Sequence, residues 1–379
     1  IIEYKKKKNK VIVVSSAMSG VTNDLIKKSK QISNNFIDSE YDVLVSSGEQ
    51  VACSLIAGRL NHKGFKSRSW LGWQIPIFTN GPYTNSRIQQ VNKNKLLRFL
   101  KEGGIPIITG FQGVNMNERV TTIGRGGSDA SAIMIAKSFK AQRCIIYTDV
   151  EGVYTTDPNK LKKAKKIKVI SYEEMLEMAS LGAKVMQPVS IQDARLNRIN
   201  IEVKSSFIKK PGTLITKRTN LNNNRIITGI SSTHNDAKVT LVGVKDRPGV
   251  AASIFKPLSI NSINVDMVVQ NISQNGKETD LTFTIKAEDL KKTKKIIQDN
   301  KSIKFKKVLF QKGVSKISII GVGMITTPGV TFRMFQALAN KKINIQVIST
   351  SEIKISVLIN KKDAKKALIT LHKEFKLQE

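Results

Sequence analysis

TTIGRGGSD, Thr121–Asp129, sets three glycines and a serine around one arginine and closes on an aspartate. Upstream, GIPIITGFQG (Gly104–Gly113) reads as a buried strand that ends in glycines. Downstream, ASAIMIAKSF (Ala130–Phe139) reads as a helix of small and apolar residues. A strand, a glycine-rich turn and a helix start with Asp129 near its cap make an anion site, because backbone N–H groups and the helix dipole converge there. Arg125 adds a planar fork suited to a carboxylate or a phosphate.

Outward from that turn the same grammar repeats. VIVVSS (Val11–Ser16) predicts a strand running into SSAMSGVTN, where Gly20 and Thr22 suggest a turn opening a helix. Tyr41–Leu60 predicts a second strand, the polar turn SSGEQ and a helix of small residues with Glu49 near its start. Gln74–Asn80 is a further candidate strand, and Asn94–Gly103 an amphipathic helix. Arg143–Pro158 predicts a strand breaking into a polar loop, and Ser171 with Glu174 forms a capping box. Asn200–Phe207 and Pro211–Thr216 complete the strands. Continuous apolar runs alternating with helices predict an α/β fold with a largely parallel sheet covered on both faces, and ligands at the strand ends.

Past Lys217 the texture changes. Thr219–Arg225 is a polar linker, and then the chain repeats itself: Ala237–Val268 realigns with Ser315–Ile348, so that Pro248-Gly249-Val250 matches Pro328-Gly329-Val330 at an offset of 80. Each copy reads strand, turn, helix, strand, strand, helix, which is a duplicated small domain.

Composition excludes several classes. No run of about 18 apolar residues occurs, so no membrane span is expected. Cys53 and Cys144 are isolated and the three histidines are scattered, so no metal site is predicted and the two free cysteines suit a cytoplasmic protein. The formal net charge of +34 is spread along the chain as lysine without interleaved aromatics, so no nucleic-acid partner is predicted.

The chemistry-bearing residues fall in the polar turns. SSAMSGVTN and SSGEQ read either as helix caps or as turns that set Ser16, Thr22 and Glu49 around a small polar ligand; in the second reading Glu49 suits an ammonium group and Arg125 a carboxylate, as an amino acid needs. In YTDVEGVYTTDP, Tyr154 offers a face to an adenine, and Thr148, Asp149 and Asp157 offer hydrogen bonds. Lys184, in GAKVM, reads either as a snorkelling surface residue or as a phosphate ligand. No P-loop and no protein-kinase signature is present.

SSAMSGVTN, SSGEQ, TGFQGV, TTIGRGGSD, YTDVEGVYTTDP, EMLEMASLGAKVM and the paired D-R-P-G-V and T-P-G-V turns, all in order, resemble aspartate kinase of the monofunctional type. The resemblance implies a three-layer αβα amino-acid-kinase domain over residues 1–218, a linker over 219–236 and two βαββαβ ferredoxin-like ACT domains over 237–310 and 315–379. It implies phosphorylation of L-aspartate by MgATP on the β-carboxylate, with Mg2+ held mainly by the nucleotide. Thr22, Glu49, Arg125, Ser128 and Asp129 would contact aspartate; Ser16, Thr148, Asp149, Tyr154, Asp157 and Lys184 would lie at the nucleotide. Arg125, Asp129 and Lys184 would act on the reacting groups. It also implies lysine or threonine as effectors, a homodimer or higher assembly through the ACT domains, and a co-produced ACT-only subunit as an option.

The two P-G-V turns are expected at a seam between the repeats. Asp246, Asn264, Asp266, Gln270, Asn344, Thr350, Ser351 and Glu352 would line that seam. The second copy has Thr326 and Gln346 where the first has Asp246 and Asp266, so one strong effector site, or two of different preference, is expected. The family's K-F-G-G-[ST] strand and its lysine have no match in IIEYKKKKNK, which resembles the end of the helix that follows it. The expectation is therefore a start lying further upstream; the alternative is a non-catalytic amino-acid sensor.

Overall fold

The computed structural model describes residues 1–181, 185–217, 225–233, 235–272, 278–300 and 303–379. The chain divides into two compact units. One comprises Ile1–Gly152, Lys168–Leu176 and Lys184–Thr219; the other comprises Val153–Ile167, Glu177–Ala183 and Asn220–Glu379.

In chain order come α1 (Ile2–Lys6), β1 (Val13–Ser15), α2 (Val21–Ile32), α3 (Asp38–Val45), α4 (Ser47–His62), β2 (Ser67–Trp70), β3 (Ile77–Asn80), β4 (Arg87–Val91) and α5 (Asn94–Lys101). They are followed by β5 (Ile105–Thr109), β6 (Gln112–Val114), β7 (Val120–Thr122), α6 (Gly127–Ser138), β8 (Cys144–Thr148), β9 (Val169–Ser171), α7 (Tyr172–Ser180), α8 (Pro188–Asn197), β10 (Ile201–Ser205) and β11 (Thr213–Thr216). Strand β5 is buried along its whole length and lies between β1 and β2, both parallel to it. That burial is what its unbroken apolar run requires.

The sheet is less uniform than expected. A mixed sheet runs β8-β10-β11-β9, with β10 and β11 antiparallel, and another runs β4-β3-β6-β7. Local hairpins cause the departure: the Asn115 side chain accepts the N–H groups of Asn117 and Arg119, each at 3.0 Å, and turns β6 back as β7.

Tyr41–Val45 is helix α3, not the strand expected. Asp42 and Val45 are its buried residues, a spacing of three that fits a helical face and not an alternating strand. Asp42 is fully buried because its carboxylate accepts the Thr84 N–H at 3.0 Å, the Thr122 N–H at 2.8 Å and the Thr122 hydroxyl at 2.7 Å. The capping box forms as read: Ser171 N–H donates to Glu174 at 3.1 Å, and Glu174 N–H donates to the Ser171 hydroxyl at 3.2 Å.

The second unit holds β12 (Gly229–Ser232), β13 (Asp236–Lys245), α9 (Val250–Ile260), β14 (Val265–Ile272), β15 (Glu278–Lys286), α10 (Leu290–Asp299), β16 (Lys307–Ile320), α11 (Val330–Asn340), β17 (Ile345–Thr350), β18 (Lys354–Asn360) and α12 (Ala364–Glu374). One sheet runs β14-β15-β13-β16-β18-β17, with β12 also on β16. The long β16 serves both copies: its first half pairs with β13, and its second half pairs with β18 and β12. Strand β12 lies inside the stretch read as linker. At the repeat offset of 80 it corresponds to the start of β16, so it completes the second copy as that start completes the first. Gly249 and Gly329 both take φ +86° at the N-caps of α9 and α11, a backbone that favours glycine and explains the repeated P-G-V turn. Each copy buries its own helices on its own core, around Ile254, Leu258 and Phe283 in one and Met334, Leu338 and Leu368 in the other.

Asp42→Ala leaves several buried donors without a partner. It should lower the unfolding free energy by about 3 kcal/mol or more, read by urea denaturation, and Asp42→Asn should lose much of the same stability. An unchanged midpoint in both would mean that the carboxylate is incidental to the fold.

Candidate active site

The site begins where β1 and β5 end. Gly110 N–H donates to the Ser15 carbonyl at 2.9 Å, holding the two chain exits side by side. A Cβ on Gly110 would stand 2.8 Å from both the Cβ and the Oγ of Ser128, so the glycine lets the start of α6 close onto the end of β5. Phe111 N–H donates to the Ser131 hydroxyl at 3.2 Å and Ile123 N–H to the Phe111 carbonyl at 3.0 Å, locking TTIGRGGSD to the same strand end. Gly124 and Gly126 take φ +74° and +75°, and Gly126 is the left-handed N-cap of α6.

Helix α4 delivers Glu49 to the same place. Ser46 is already helical, so SSGEQ is a helix start on top of α3 rather than a turn after a strand. A Cβ on Gly48 would stand 2.9 Å from the Cβ of Ala17, so α4 lies tight on the turn after β1. Glu49 is 3% exposed. Its Oε1 accepts the Ala17 N–H at 3.0 Å, while its Oε2 is buried with no partner among the described residues. Burial holds its carboxyl above the usual range, and backbone N–H groups, that of Ala17 first, pull the other way. Gln112, also buried, donates from Nε2 to the Ser46 carbonyl at 3.0 Å and leaves its Oε1 unpartnered. In the sequence it lies within both GIPIITGFQG and TGFQGV, and its position at the start of a strand between two glycines is the signal that singles it out.

Of the remaining expected residues of the first unit, Arg125 and Asp129 belong to the turn and the helix α6 that close on this junction. Asp129 sits in the first turn of α6, half-buried; burial raises its pKa to about 6. Arg125 is exposed on the turn and has no ion-pair or hydrogen-bond partner among the described residues. Thr22 lies in the first turn of α2 beside Val21, whose side chain abuts Gly48. Ser16 is exposed at the exit of β1. Thr148 ends β8 and donates to the exposed Asp149 at 3.1 Å.

Tyr154 and Asp157 belong to the second unit. There Tyr154 is half-buried and bridges to Lys166, and Asp157 caps a turn by accepting the Asn159 N–H at 2.9 Å. The next residue to Tyr154, Thr155, accepts the Ile230 N–H of β12 at 2.7 Å, and its hydroxyl lies 3.0 Å from the His372 ring of α12. Lys184 lies outside the described residues. Among the described residues no three His, Cys, Asp or Glu converge on a metal position, and no helix is long and apolar enough to cross a membrane.

The residues expected at the repeat seam separate into three places. Asp246 and Gln270 lie toward the Lys307 end of β16; Asn264, Asp266 and Asn344 lie near its middle; Thr350, Ser351 and Glu352 lie toward its Ile320 end. All are exposed. A 14-residue strand spans about 45 Å, so one chain sets its two P-G-V turns at opposite ends of β16 instead of at a shared seam. Asp266 already has a cation, the buried Lys316, and Gln346 accepts from Lys238 at 2.9 Å. Met267, Val314, Val347 and Leu358 form the apolar cluster of this middle region.

Residues 1–205 match the amino acid kinase family, and residues 239–300 and 317–375 match the ACT domain. The chain is 42% identical over 379 residues to the aspartokinase of Geobacillus stearothermophilus, covering all of this chain and 92% of the relative. It is 44% identical over 371 residues to the aspartate kinase of Pseudomonas fluorescens, covering 97% and 90%. The crystal structure of E. coli aspartokinase III in complex with aspartate and ADP superposes with a TM-score of 0.78 at 25% identity, covering 96% of this chain and 92% of that one. The fold and these matches define an amino-acid kinase carrying ACT domains. Within that class, the chain belongs to the aspartokinase family.

Asp129 supplies a pH test of the site. Its folded pKa, about 6, lies above the ordinary value of 3.8, so the folded state holds its proton more tightly than the unfolded chain. The resulting cost to stability is absent below pH 3.8, grows as pH rises and is complete above about pH 6. Asp129→Asn should therefore stabilise the ligand-free protein by about 1–3 kcal/mol at pH 7.5, shrinking to roughly a third of that at pH 4.5. A gain that does not depend on pH would mean that Asp129 is not held as a buried acid.

Proposed function

We propose that this chain transfers the γ-phosphate of ATP to the β-carboxylate of L-aspartate, giving 4-phospho-L-aspartate at the head of lysine, threonine, methionine and diaminopimelate synthesis. The observation that carries this reading is the unpartnered Oε2 of Glu49, buried at the start of one helix where a second helix start carries Ser128 and Asp129. Glu49 takes the substrate ammonium. Arg125 takes a carboxylate in a bidentate pair, and Thr22, Ser128 and Asp129 complete the polar wall.

The nucleophile is a carboxylate already ionised at neutral pH, so the chain needs no general base. Its task is to hold one anion against another, and positioning with fixed positive charge supplies that. The N-terminus of α6 and Arg125 contribute charge on the substrate side. Ser16, Thr148, Asp149, Tyr154, Asp157 and Lys184 are assigned to the nucleotide by resemblance, with Lys184 at its phosphates. Mg2+ carried by the nucleotide neutralises phosphate charge.

The repeat unit is assigned to feedback control by lysine, threonine or both. With the P-G-V turns at opposite ends of β16, a second copy of the repeat supplies the partner for each turn. That favours a homodimer or higher assembly, and an ACT-only subunit could fill the same place. Asp266 would bind an effector ammonium by exchange with Lys316.

Protein expressed from its full reading frame should form an acyl phosphate from L-aspartate and ATP, trapped as a hydroxamate. Activity with L-glutamate and none with L-aspartate would overturn the assignment. Arg125→Ala should lower kcat/KM for aspartate by about 30- to 1000-fold, and Arg125→Lys should also be poor, because lysine lacks the fork. Near-normal kinetics in both would make Arg125 an ordinary loop residue.

A further inference from the structure

A cavity of about 510 Å3 lies between β2 and α5, walled by Arg68 and Trp70 from the strand, Trp73 from the turn after it, and Lys95, Arg98 and Phe99 from the helix. None of these residues belongs to the site at Glu49 and Asp129. Phe99 meets Trp70 edge-on at 6.0 Å, and the Arg68 guanidinium stacks 4.3 Å from the Trp70 ring centre. Trp70 is 5% exposed, yet its Nε1 donor is buried without a partner.

The charges of the wall are one-sided. Glu102, its acidic member, is already paired with Lys66 at 2.7 Å. Arg68 and Lys95 form no ion pair with it among the described residues; Lys95 donates to the Gln74 carbonyl at 2.9 Å, and the exposed Arg98 acts on Glu102 through its charge alone. Trp73, half exposed, presents an open aromatic surface at the rim. A cavity of this size holds a small organic molecule, and apolar walls with a few placed polar groups are what such ligands need. We propose that it binds a planar aromatic ring carrying an anionic group. The ring packs on Trp73, and the anion pairs with Arg98 and Lys95. The anion can come from a nucleotide or from an aromatic carboxylic acid, and the cavity chemistry is shared by both.

Trp70 and Trp73 are the chain's two tryptophans, so its tryptophan fluorescence reports this cavity. The full-length protein is titrated with AMP, with phenylacetate and with inorganic phosphate while tryptophan emission is followed. A saturable change with AMP or phenylacetate is expected, the tighter of the two identifying the source. Arg98→Ala should weaken it by about 10- to 100-fold, the loss of a charge-assisted contact. Arg59→Ala, on α4 and outside the cavity, should leave it unchanged. Arg98→Gln replaces Arg98→Ala if circular dichroism shows the latter unfolded. The proposal fails if neither aromatic anion gives a saturable change, if the change survives loss of Arg98, or if phosphate alone binds as tightly as AMP.

Discussion

The candidate site depends on one close approach. With no side chain on Gly110, the end of β5 meets the start of α6 at Ser128, while the Gly110 N–H holds the end of β1. Several polar contacts of the first unit gather around that junction. The Ala17 N–H beyond β1 reaches Glu49, Phe111 beyond β5 holds Ser131 and Ile123, and Gln112 reaches the start of α4. A side chain at Gly110 would push the start of α6 away from the end of β5.

Bringing acids into that volume costs stability. Glu49 and Asp129 are both held above their ordinary pKa by burial, and each is a group whose charge the fold only partly satisfies. An amino acid carries the missing partner for Glu49 and a carboxylate for the exposed Arg125. Asp42 shows the contrasting case: it is fully buried, but its donors are supplied from within the protein. Unsatisfied buried acids mark the site better than acids as such.

Local signals were legible in the sequence. TTIGRGGSD, the Ser171–Glu174 capping box and the two P-G-V turns are chemistry of a few neighbouring residues, and each formed where it was read. Long-range pairing was not. Tyr41–Val45 is apolar enough for a strand, and the burial of Asp42 and Val45 on one helical face, with Asp42 bonded to Thr84 and Thr122 far away in sequence, belongs to the tertiary fold. Strand β12 hid in a linker because its role is to stand in the second copy for the first half of β16, a pairing that local composition does not reveal. The repeat was plain, but the separation of its turns along the shared strand needed the register.

The most direct measurement is a crystal structure of the protein with L-aspartate bound. The account predicts the substrate ammonium within hydrogen-bond distance of Glu49 Oε2 and a substrate carboxylate on the Arg125 guanidinium, beside Ser128. Aspartate seated elsewhere, with Glu49 Oε2 still unpartnered, would contradict it.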